Sequence, residues 1–307
     1  MVLSEPVISI SGLRKSYDGL EAVKGIDLEV AREEVFAVLG PNGAGKTTTV
    51  EILEGYRDRD AGEVSVLGVD PAFPTSTWRE KIGIVLQNTT LEPVLSVEES
   101  LQQYAGYYRN PRRVDEVIEL VGLQEQAGTR ARKLSGGQQR RLDVGIALIG
   151  DPELLFLDEP TTGFDPSARR QAWEMIAGLR DLGKTVLLTT HYMEEAQVLA
   201  DRVAIISDGR IVALDTPDNL GDRDQLPTTI SFVLPVGAVL PDMPDPGVVQ
   251  IGGETGSGEQ TVRISSRDPV AELNRLTGWA IEQGFELEQL EVRRPSLEDV
   301  YLELTES

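Results

Sequence analysis

Apolar and polar positions in the first two thirds of the chain form two alternating kinds of pattern. Continuous apolar runs as long as a buried strand are separated by segments with helical spacing. The runs are EVFAVLG, IGIVLQ, LLFLDE, TVLLTTH and RVAIISDGRIV, and alternating positions in VISISGLRKSY and IDLEV add strands with one buried face. Because strands and helices alternate, the pattern predicts an α/β fold with a mainly parallel sheet.

Residues 93–150 interrupt this alternation. They carry the helical patterns VEESLQQYAGYY, RRVDEVIELVGL and GQQRRLDVGIALIG, with almost no strand signal. We therefore predict a helical subdomain inserted into an α/β domain that covers residues 1–220.

The pattern changes again after residue 220. Three short strands (TISFVL, VVQIG, TVRIS) precede a helix over Pro269–Gln283, the strand FELEQLEV and a last helix over 296–305. These elements predict a small α+β domain over 221–307. The last helix has one apolar face, which must pack on something because so short a helix is unstable alone. That face consists of Leu297, Val300, Tyr301 and Leu304.

Composition narrows the classes of protein. The 29 basic and 51 acidic residues give a net charge of −22, which argues against nucleic acid as a partner because the phosphates would be repelled. The chain has no cysteine and one histidine, so disulfides and thiolate metal sites are excluded and a histidine-built metal centre is disfavoured. No apolar run approaches the roughly 18–20 residues that span a bilayer, and the N-terminus lacks a secretory pattern. We expect a cytoplasmic protein.

The segment GPNGAGKT has the spacing of a phosphate-binding loop between a predicted strand and a predicted helix. Its glycines allow backbone N–H groups to face phosphate oxygens, and the helix N-terminus adds positive potential. Lys46 supplies a charge to the β- and γ-phosphates, and Thr47 can ligate Mg²⁺. The candidate nucleotide ligands here are Gly40, Pro41, Asn42, Gly43, Ala44, Gly45, Lys46, Thr47 and Thr48.

Two acidic residues, Asp158 and Glu159, end the apolar run LLFLDE. The carboxyl ends of parallel strands meet at one edge of a sheet, where ligands of such folds bind. Two acids at the end of a strand are more often a solvated turn, but the upstream phosphate loop favours function. Asp158 can then hold a metal while Glu159 faces the γ-phosphate.

The segment Leu134-Ser135-Gly136-Gly137-Gln138 resembles the signature of ATP-binding cassette (ABC) ATPases, and it precedes Asp158 at the distance typical of that family. The resemblance covers about residues 7–220. It implies an ABC-type P-loop NTPase fold, with ATP and Mg²⁺ as cofactors. Phe164, where the family usually has Leu, and Asp18, where Gly often follows the aromatic, are small departures.

The resemblance also implies a role for each remaining motif. Tyr17 matches the aromatic that stacks on adenine, and Asp165 matches the aspartate of the loop after the metal-binding strand. Gln87 matches the glutamine between the two subdomains, which ligates Mg²⁺ together with Thr47 and Asp158. The catalytic set is Glu159 as base, His191 and Gln87 as orienting groups and Lys46 as the cation.

The single histidine is a candidate because of its position in the chain as well as its resemblance to the switch histidine of the ABC family. A lone histidine is ordinarily a surface residue or a satisfied core residue. His191, however, ends a buried strand predicted to lie beside the strand of Asp158 and Glu159. Its imidazole can therefore hydrogen-bond the γ-phosphate and help to hold the attacking water.

The family relationship further implies a homodimer, because each ATP lies between the phosphate loop of one subunit and the signature of the other, namely Ser135, Gly136, Gly137 and Gln138. A separate membrane permease would hold the protein at the inner face of the cell membrane. The C-terminal sequence RRPSLEDVYLELTES resembles the daunorubicin-resistance-type ATPases of drug exporters. A soluble assembly or regulatory ATPase remains the alternative.

The segment QNTTLEPVLSVEESL follows Gln87, at a place where we expect a groove for a cytoplasmic helix of the permease. The apolar residues expected on this surface are Leu91, Val94, Leu95 and Val97.

Overall fold

The computed structural model describes residues 5–87, 91–220, 227–234, 238–241, 249–254 (backbone alone), 260–294, 297 and 299–301. Internal contacts divide the chain into two units, Met1–Pro217 and Asp218–Ser307. Among the described residues, no helix is both long enough and apolar enough to cross a membrane.

The first unit contains the following elements. Its strands are β1 (Ile8–Tyr17), β2 (Leu20–Val30), β3 (Val35–Leu39), β4 (Ala61–Val66), β5 (Ile82–Val85), β6 (Leu154–Asp158), β7 (Thr185–Thr190), β8 (Arg202–Ser207) and β9 (Arg210–Asp215). Its helices are α1 (Lys46–Leu53), α2 (Ser76–Arg79), α3 (Val97–Ala105), α4 (Val114–Leu120), α5 (Gly136–Leu148), α6 (Pro166–Asp181) and α7 (Met193–Leu199).

A six-stranded sheet forms the centre of this unit, in the order β5-β6-β7-β3-β8-β9. Its first five strands are mutually parallel, and every residue of β3 and β7 is buried. The continuous apolar runs therefore form this sheet, and the predicted α/β class is confirmed. Because β7 lies between β3 and β6, the segments that follow these three strands meet at one edge of the sheet.

A second sheet, absent from the sequence prediction, packs beside the first. It is antiparallel, with the order β2-β1-β4. Strand β4 has the sequence AGEVSV, whose first half is poor in β-forming residues. Gly62 adopts φ 93°, and a Cβ there would lie 2.5 Å from the carbonyl oxygen of Gly12. Contact with β1 thus defines β4, and a sequence pattern cannot show such contact.

The run RVAIISDGRIV is a hairpin and not one strand. Strands β8 and β9 are antiparallel, with Ser207 paired to Arg210. Asp208 and Gly209 form the turn with φ values of 47° and 74°, the conformation in which Asp-Gly is favoured between hairpin strands.

Helices α3, α4 and α5 pack together in the region predicted to be helical. Gly145 of α5 permits this approach, because a Cβ there would already lie 3.4 Å from side-chain atoms of Leu101 and Val117. The prediction that Val97 is a surface residue is wrong. Its side chain is fully buried, whereas Val94 is 54% exposed.

The second unit is a four-stranded antiparallel sheet with one helix. Its elements are β10 (Thr228–Leu234), β11 (Val249–Glu254), β12 (Gln260–Ser266), α8 (Pro269–Gln283) and β13 (Glu288–Arg293), with the sheet order β11-β12-β10-β13. Helix α8 has the predicted bounds, since Asp268 caps its first turn and Gly284 ends it at φ 72°. Leu276 of α8 packs with Phe232 and Ile264 of the sheet.

The described residues of the predicted last helix are helical. Residues 297 and 299–301 are helical, and Arg293 pairs with Asp299 at 2.9 Å. Leu297 and Val300 are 2% and 1% exposed, so this chain itself covers the two central residues of the predicted apolar face. Pro295, Ser296, Glu298 and Leu304 lie outside the described residues.

This burial predicts a cost for shortening Val300. Val300→Ala should lower the free energy of unfolding of the second unit by about 2 kcal/mol, because two buried methyl groups are lost and a cavity remains. Val270→Ala is the matched control, since Val270 is 76% exposed. Scanning calorimetry measures both, and equal transition temperatures for the two variants would contradict the packing described.

Candidate functional site

The loop between β3 and α1 carries the predicted phosphate-binding residues. Gly43 and Gly45 have φ values of 83° and 104°, and a Cβ on Gly45 would lie 2.5 Å from the carbonyl oxygen of Ala22. At Gly40, a Cβ would lie 2.2 Å from the carbonyl oxygen of Ile206. Larger residues are therefore excluded by backbone strain at Gly43 and Gly45 and by contact at Gly40 and Gly45.

Lys46, the first residue of α1, points back over this loop. Its Nζ donates hydrogen bonds to the carbonyl oxygens of Gly40 at 2.7 Å and Pro41 at 3.1 Å. Burial lowers the pKa of Lys46, while the nearby carboxylates of Glu159 and Asp158 act to raise it. The ammonium group is thus fixed beside the acidic residues that end β6.

A cavity of about 370 Å³ lies over the phosphate loop. It brings together most of the predicted loop residues with Gln87 and Glu159, which come from other parts of the chain. Its lining is Ala22, Asn42, Gly43, Gly45, Lys46, Thr47, Thr48, Gln87 and Glu159. Of the predicted loop residues outside this lining, Gly40 and Pro41 bind Lys46, and Ala44 is buried behind them.

Three side chains lie against the Glu159 carboxylate, and two of them donate hydrogen bonds to it. Its Oε2 accepts hydrogen bonds from Gln87 Nε2 and Thr162 Oγ1, both at 3.0 Å. His191 Nδ1 lies 3.2 Å from Oε1, without hydrogen-bond geometry. Glu159 itself has φ 44°, a left-handed conformation that a residue with a side chain adopts only when its surroundings impose it. Three predicted catalytic residues therefore meet at one carboxylate.

Asp158 is the last residue of β6, paired with Thr189 of β7. The Thr189 hydroxyl donates a hydrogen bond to Asp158 Oδ1, and the Glu159 backbone N–H bonds the same hydroxyl oxygen at 3.0 Å. Thr47, Gln87 and Asp158 offer a hydroxyl, an amide and a carboxylate, the hard oxygen donors that Mg²⁺ prefers. Within the described ranges no three His, Cys, Asp or Glu residues cluster as a metal site.

The signature residues lie elsewhere on the chain. Ser135 caps α5, where the N–H of Gln138 bonds Ser135 Oγ and the Gln138 side chain accepts from the N–H of Ser135. Ser135, Gly137 and Gln138 line a separate depression of about 170 Å³ that shares no lining residue with the phosphate-loop cavity. Gly136 is exposed at the start of the helix. One chain therefore keeps the two motifs apart.

Two further predicted ligands also lie outside the cavity lining. Tyr17 ends β1 and is 37% exposed, with the Arg57 guanidinium 5.2 Å from its ring centroid. Asp165 caps α6, where its Oδ1 accepts hydrogen bonds from the backbone N–H groups of Ser167 and Ala168.

Sequence reasoning missed several residues that shape this site. Thr162 and Thr189 bind the two acidic residues, and Ala22 closes the cavity from the antiparallel sheet. A polar residue inside TVLLTTH, otherwise an apolar strand, was the one sequence signal for Thr189.

Comparison with known proteins covers both units. The ABC transporter family matches residues 23–162, and the C-terminal domain of ABC transporter domain-containing protein-like sequences matches residues 228–296. The daunorubicin resistance ATP-binding protein DrrA3 of Streptomyces coeruleorubidus is 36% identical over 99% of this chain and 97% of its own length. The Nod factor export ATP-binding protein I of Ralstonia nicotianae is 37% identical over 98% and 94%. The linearmycin resistance ATP-binding protein LnrL of Bacillus subtilis is 34% identical over 97% and 98%.

Solved structures agree on the fold of the first unit. The cbiO1 protein of Clostridium perfringens, part of the ABC transporter complex cbiONQ, superposes with a TM-score of 0.65 at 28% identity, over 70% of this chain and 90% of its own. A dimeric ATP-binding cassette, MJ0796 bound to ADP and Pi, gives a TM-score of 0.61 at 24% identity over 68% and 98%. The second of these similarities supports the fold alone.

One buried acid near the site is not explained by any motif. Glu54 ends α1 and is 6% exposed. Burial, together with the negative charges of Asp158 and Glu51, raises its pKa from 4.5 to about 8. The carboxyl of Glu54 is therefore protonated in the folded protein at neutral pH.

This shift predicts that stability falls as pH rises. Between pH 4.5 and about 8 the folded protein keeps a proton that the unfolded chain releases, so the loss in unfolding free energy grows across this window, up to roughly 5 kcal/mol. Glu54→Gln should remove most of this slope and raise the stability at pH 8. Urea titrations of nucleotide-free protein from pH 5 to 8.5 measure it, with Glu125→Gln as an exposed control. An unchanged slope in Glu54→Gln would contradict the assignment.

Proposed function

The chain belongs to the family of ABC transporter ATP-binding proteins and is an ATPase, and we propose that it drives export through a separate membrane permease. The convergence of Gln87 and His191 on Glu159, beside the phosphate-loop cavity, supports hydrolysis most directly. Relatives named for daunorubicin resistance, Nod factor export and linearmycin resistance support the direction of transport.

In the proposed reaction, Glu159 accepts a proton from the water that attacks the γ-phosphate. Gln87 and Thr162 fix Oε2 of this carboxylate, which leaves Oε1, on the side of His191, for the water. His191 then orients the water and the γ-phosphate, and catalysis consists of positioning and electrostatic stabilisation.

The other residues of the site are proposed to hold the nucleotide, and of these Asp158 and Tyr17 lie outside the cavity lining. Lys46 and the N–H groups of residues 43–48 bind the phosphates, with the α1 N-terminus contributing positive potential. Thr47, Gln87 and Asp158 would hold Mg²⁺, which supplies charge neutralisation for the transferred group when bound. Tyr17 is proposed to stack on the adenine ring, because it is aromatic and partly exposed at the end of β1.

ATP is proposed to join two copies of the chain. The separation of the signature depression from the phosphate-loop cavity supports this. One nucleotide can contact both surfaces only if the signature comes from a second subunit. The capped N-terminus of α5, with Ser135 and Gly137, would face the γ-phosphate bound by the partner. Asp165 then acts indirectly, by fixing the loop between Glu159 and α6 near the same interface.

The permease is proposed to dock on the surface that follows Gln87 and thereby to hold this protein at the cytoplasmic face of the membrane. Leu86 directly precedes this segment and Val94 lies within it, with 42% and 54% of their surface exposed. Apolar side chains with this exposure are suited to the apolar face of a docked helix. Because Leu95 is half-buried and Val97 is buried, Val94 is the better residue to test.

Loss of the base should separate binding from turnover. Glu159→Gln should bind ATP and accumulate as an ATP-bound dimer, with turnover lowered by two to three orders of magnitude, because the amide cannot accept the proton. Size-exclusion chromatography with ATP and a phosphate-release assay measure the two effects. Glu174→Gln, at an exposed position of α6, should behave like the wild type. Near-normal hydrolysis by Glu159→Gln would refute the assigned base.

Charge at the docking surface should separate assembly from turnover. Val94→Asp should no longer co-purify with an integral membrane protein from solubilised host membranes, while basal ATPase stays within about twofold of wild type, because burying a charge in an apolar contact is unfavourable. Val198→Asp, at another exposed valine, is the control that should retain the partner. Wild-type protein that brings down no membrane protein, yet hydrolyses ATP, would favour a soluble regulatory ATPase instead.

A further inference from the structure

A guanidinium group is buried between α5 and the loop that carries Glu159. Arg140 lies in the second turn of α5 and is 8% exposed. Its Nη2 donates to the carbonyl oxygen of Asp158 at 2.6 Å and its Nε to that of Pro160 at 3.2 Å. Its Nη1 donates to the carbonyl oxygen of Leu86. All three donating nitrogens of this fork therefore reach backbone carbonyls, as its fixed planar geometry allows.

These three carbonyls belong to neighbours of the proposed catalytic residues. Asp158 and Pro160 flank Glu159 in the chain, and Leu86 precedes Gln87. Glu159 holds a left-handed backbone conformation at φ 44°, which costs on the order of 1–3 kcal/mol and persists only where other contacts impose it. Hydrogen bonds to the carbonyls on both sides of Glu159 supply such contacts.

A buried carboxylate contacts the same loop at a second point. Glu195 of α7 is fully buried, and its Oε1 accepts hydrogen bonds from Thr161 Oγ1 at 2.7 Å and Trp173 Nε1 at 3.1 Å. Thr161 is the second residue after Glu159, and α7 begins two residues after His191. Arg140 and Glu195 therefore bind the same loop at different residues.

Charge balance links the two groups. Burial lowers the pKa of Arg140, and the carboxylates of Asp143, Asp158 and Glu195 oppose that shift. A buried cation is tolerated when carboxylates surround it, and removing one partner leaves an unpaired charge. Glu195 thus adds to the negative charge that Asp143 and Asp158 provide around the buried guanidinium.

We propose that Arg140 and Glu195 are positioning residues for hydrolysis, which hold residues 158–161 so that the Glu159 carboxylate meets Gln87 and His191. This inference rests on the proposed role of Glu159 as base. Neither residue lines the nucleotide cavity, so their loss should change turnover and leave nucleotide affinity nearly unchanged.

The first test compares Arg140→Lys with a matched variant. A lysine keeps the charge but cannot form the three-way fork. We expect kcat to fall at least 30-fold while the Kd for ATPγS changes less than threefold. Arg112→Lys is the control, because Arg112 is also largely buried but binds Glu116 and Asp151, away from the cavity; its kcat should stay within twofold. Equal losses of affinity and turnover in Arg140→Lys would overturn the proposal.

The second test asks whether Arg140 acts through Glu159. In the Glu159→Gln background, Arg140→Lys should lower the residual turnover less than threefold, because the carboxylate that it positions is already lost. If Glu159→Gln is nearly inactive as expected but the two substitutions lower turnover by the product of their separate effects, the positioning role alone is overturned. A nearly active Glu159→Gln would instead overturn the proposed base. If Arg140→Lys does not fold, Thr161→Val serves in the same cycle, since it removes only the hydroxyl that binds Glu195 and keeps the shape of the side chain.

Discussion

The parallel alignment of β3, β7 and β6 is the constraint on which the site depends. Each strand ends at the same edge of the sheet, so the phosphate loop, His191 and Asp158 are brought together from distant parts of the sequence. The hydrogen-bonded ladders between these buried strands fix the backbone at their ends. The inserted helices and the antiparallel sheet add to this edge without altering it.

Around that edge the protein concentrates negative charge and backbone strain in one place. Asp158 and Glu159 lie side by side, close to the buried acid Glu54, and Glu159 has a left-handed backbone. Lys46 and the threonine hydroxyls offset part of the charge. Such an arrangement is costly in the isolated chain. A bound cation that neutralises the carboxylates would lower the electrostatic part of this cost.

The sequence was most informative where a local rule decides the structure. Continuous apolar runs predicted the parallel strands, and the bounds of α8 follow from Asp268 and Gly284. The Asp208-Gly209 dipeptide is a hairpin signal, but the apolar residues on both sides of it favour a single strand when the sequence is considered alone. Strand β4 and the burial of Val97 could not be predicted, because they depend on contacts with β1 and within the helical subdomain. For the same reason, no spacing rule points to Arg140.

The turn between β8 and β9 contacts the phosphate loop as well as the antiparallel sheet. The N–H of Gly209 bonds the Ala44 carbonyl of the phosphate loop at 3.0 Å, and the Gly209 carbonyl accepts from Lys24 of β2 at 2.8 Å. A Cβ there would lie 2.7 Å from the carbonyl oxygen of Ala22, which also crowds Gly45. This hairpin glycine therefore fastens both sheets to the phosphate loop. A side chain at position 209 would therefore disturb the phosphate loop and nucleotide binding, although glycine has no side chain that could contact the nucleotide.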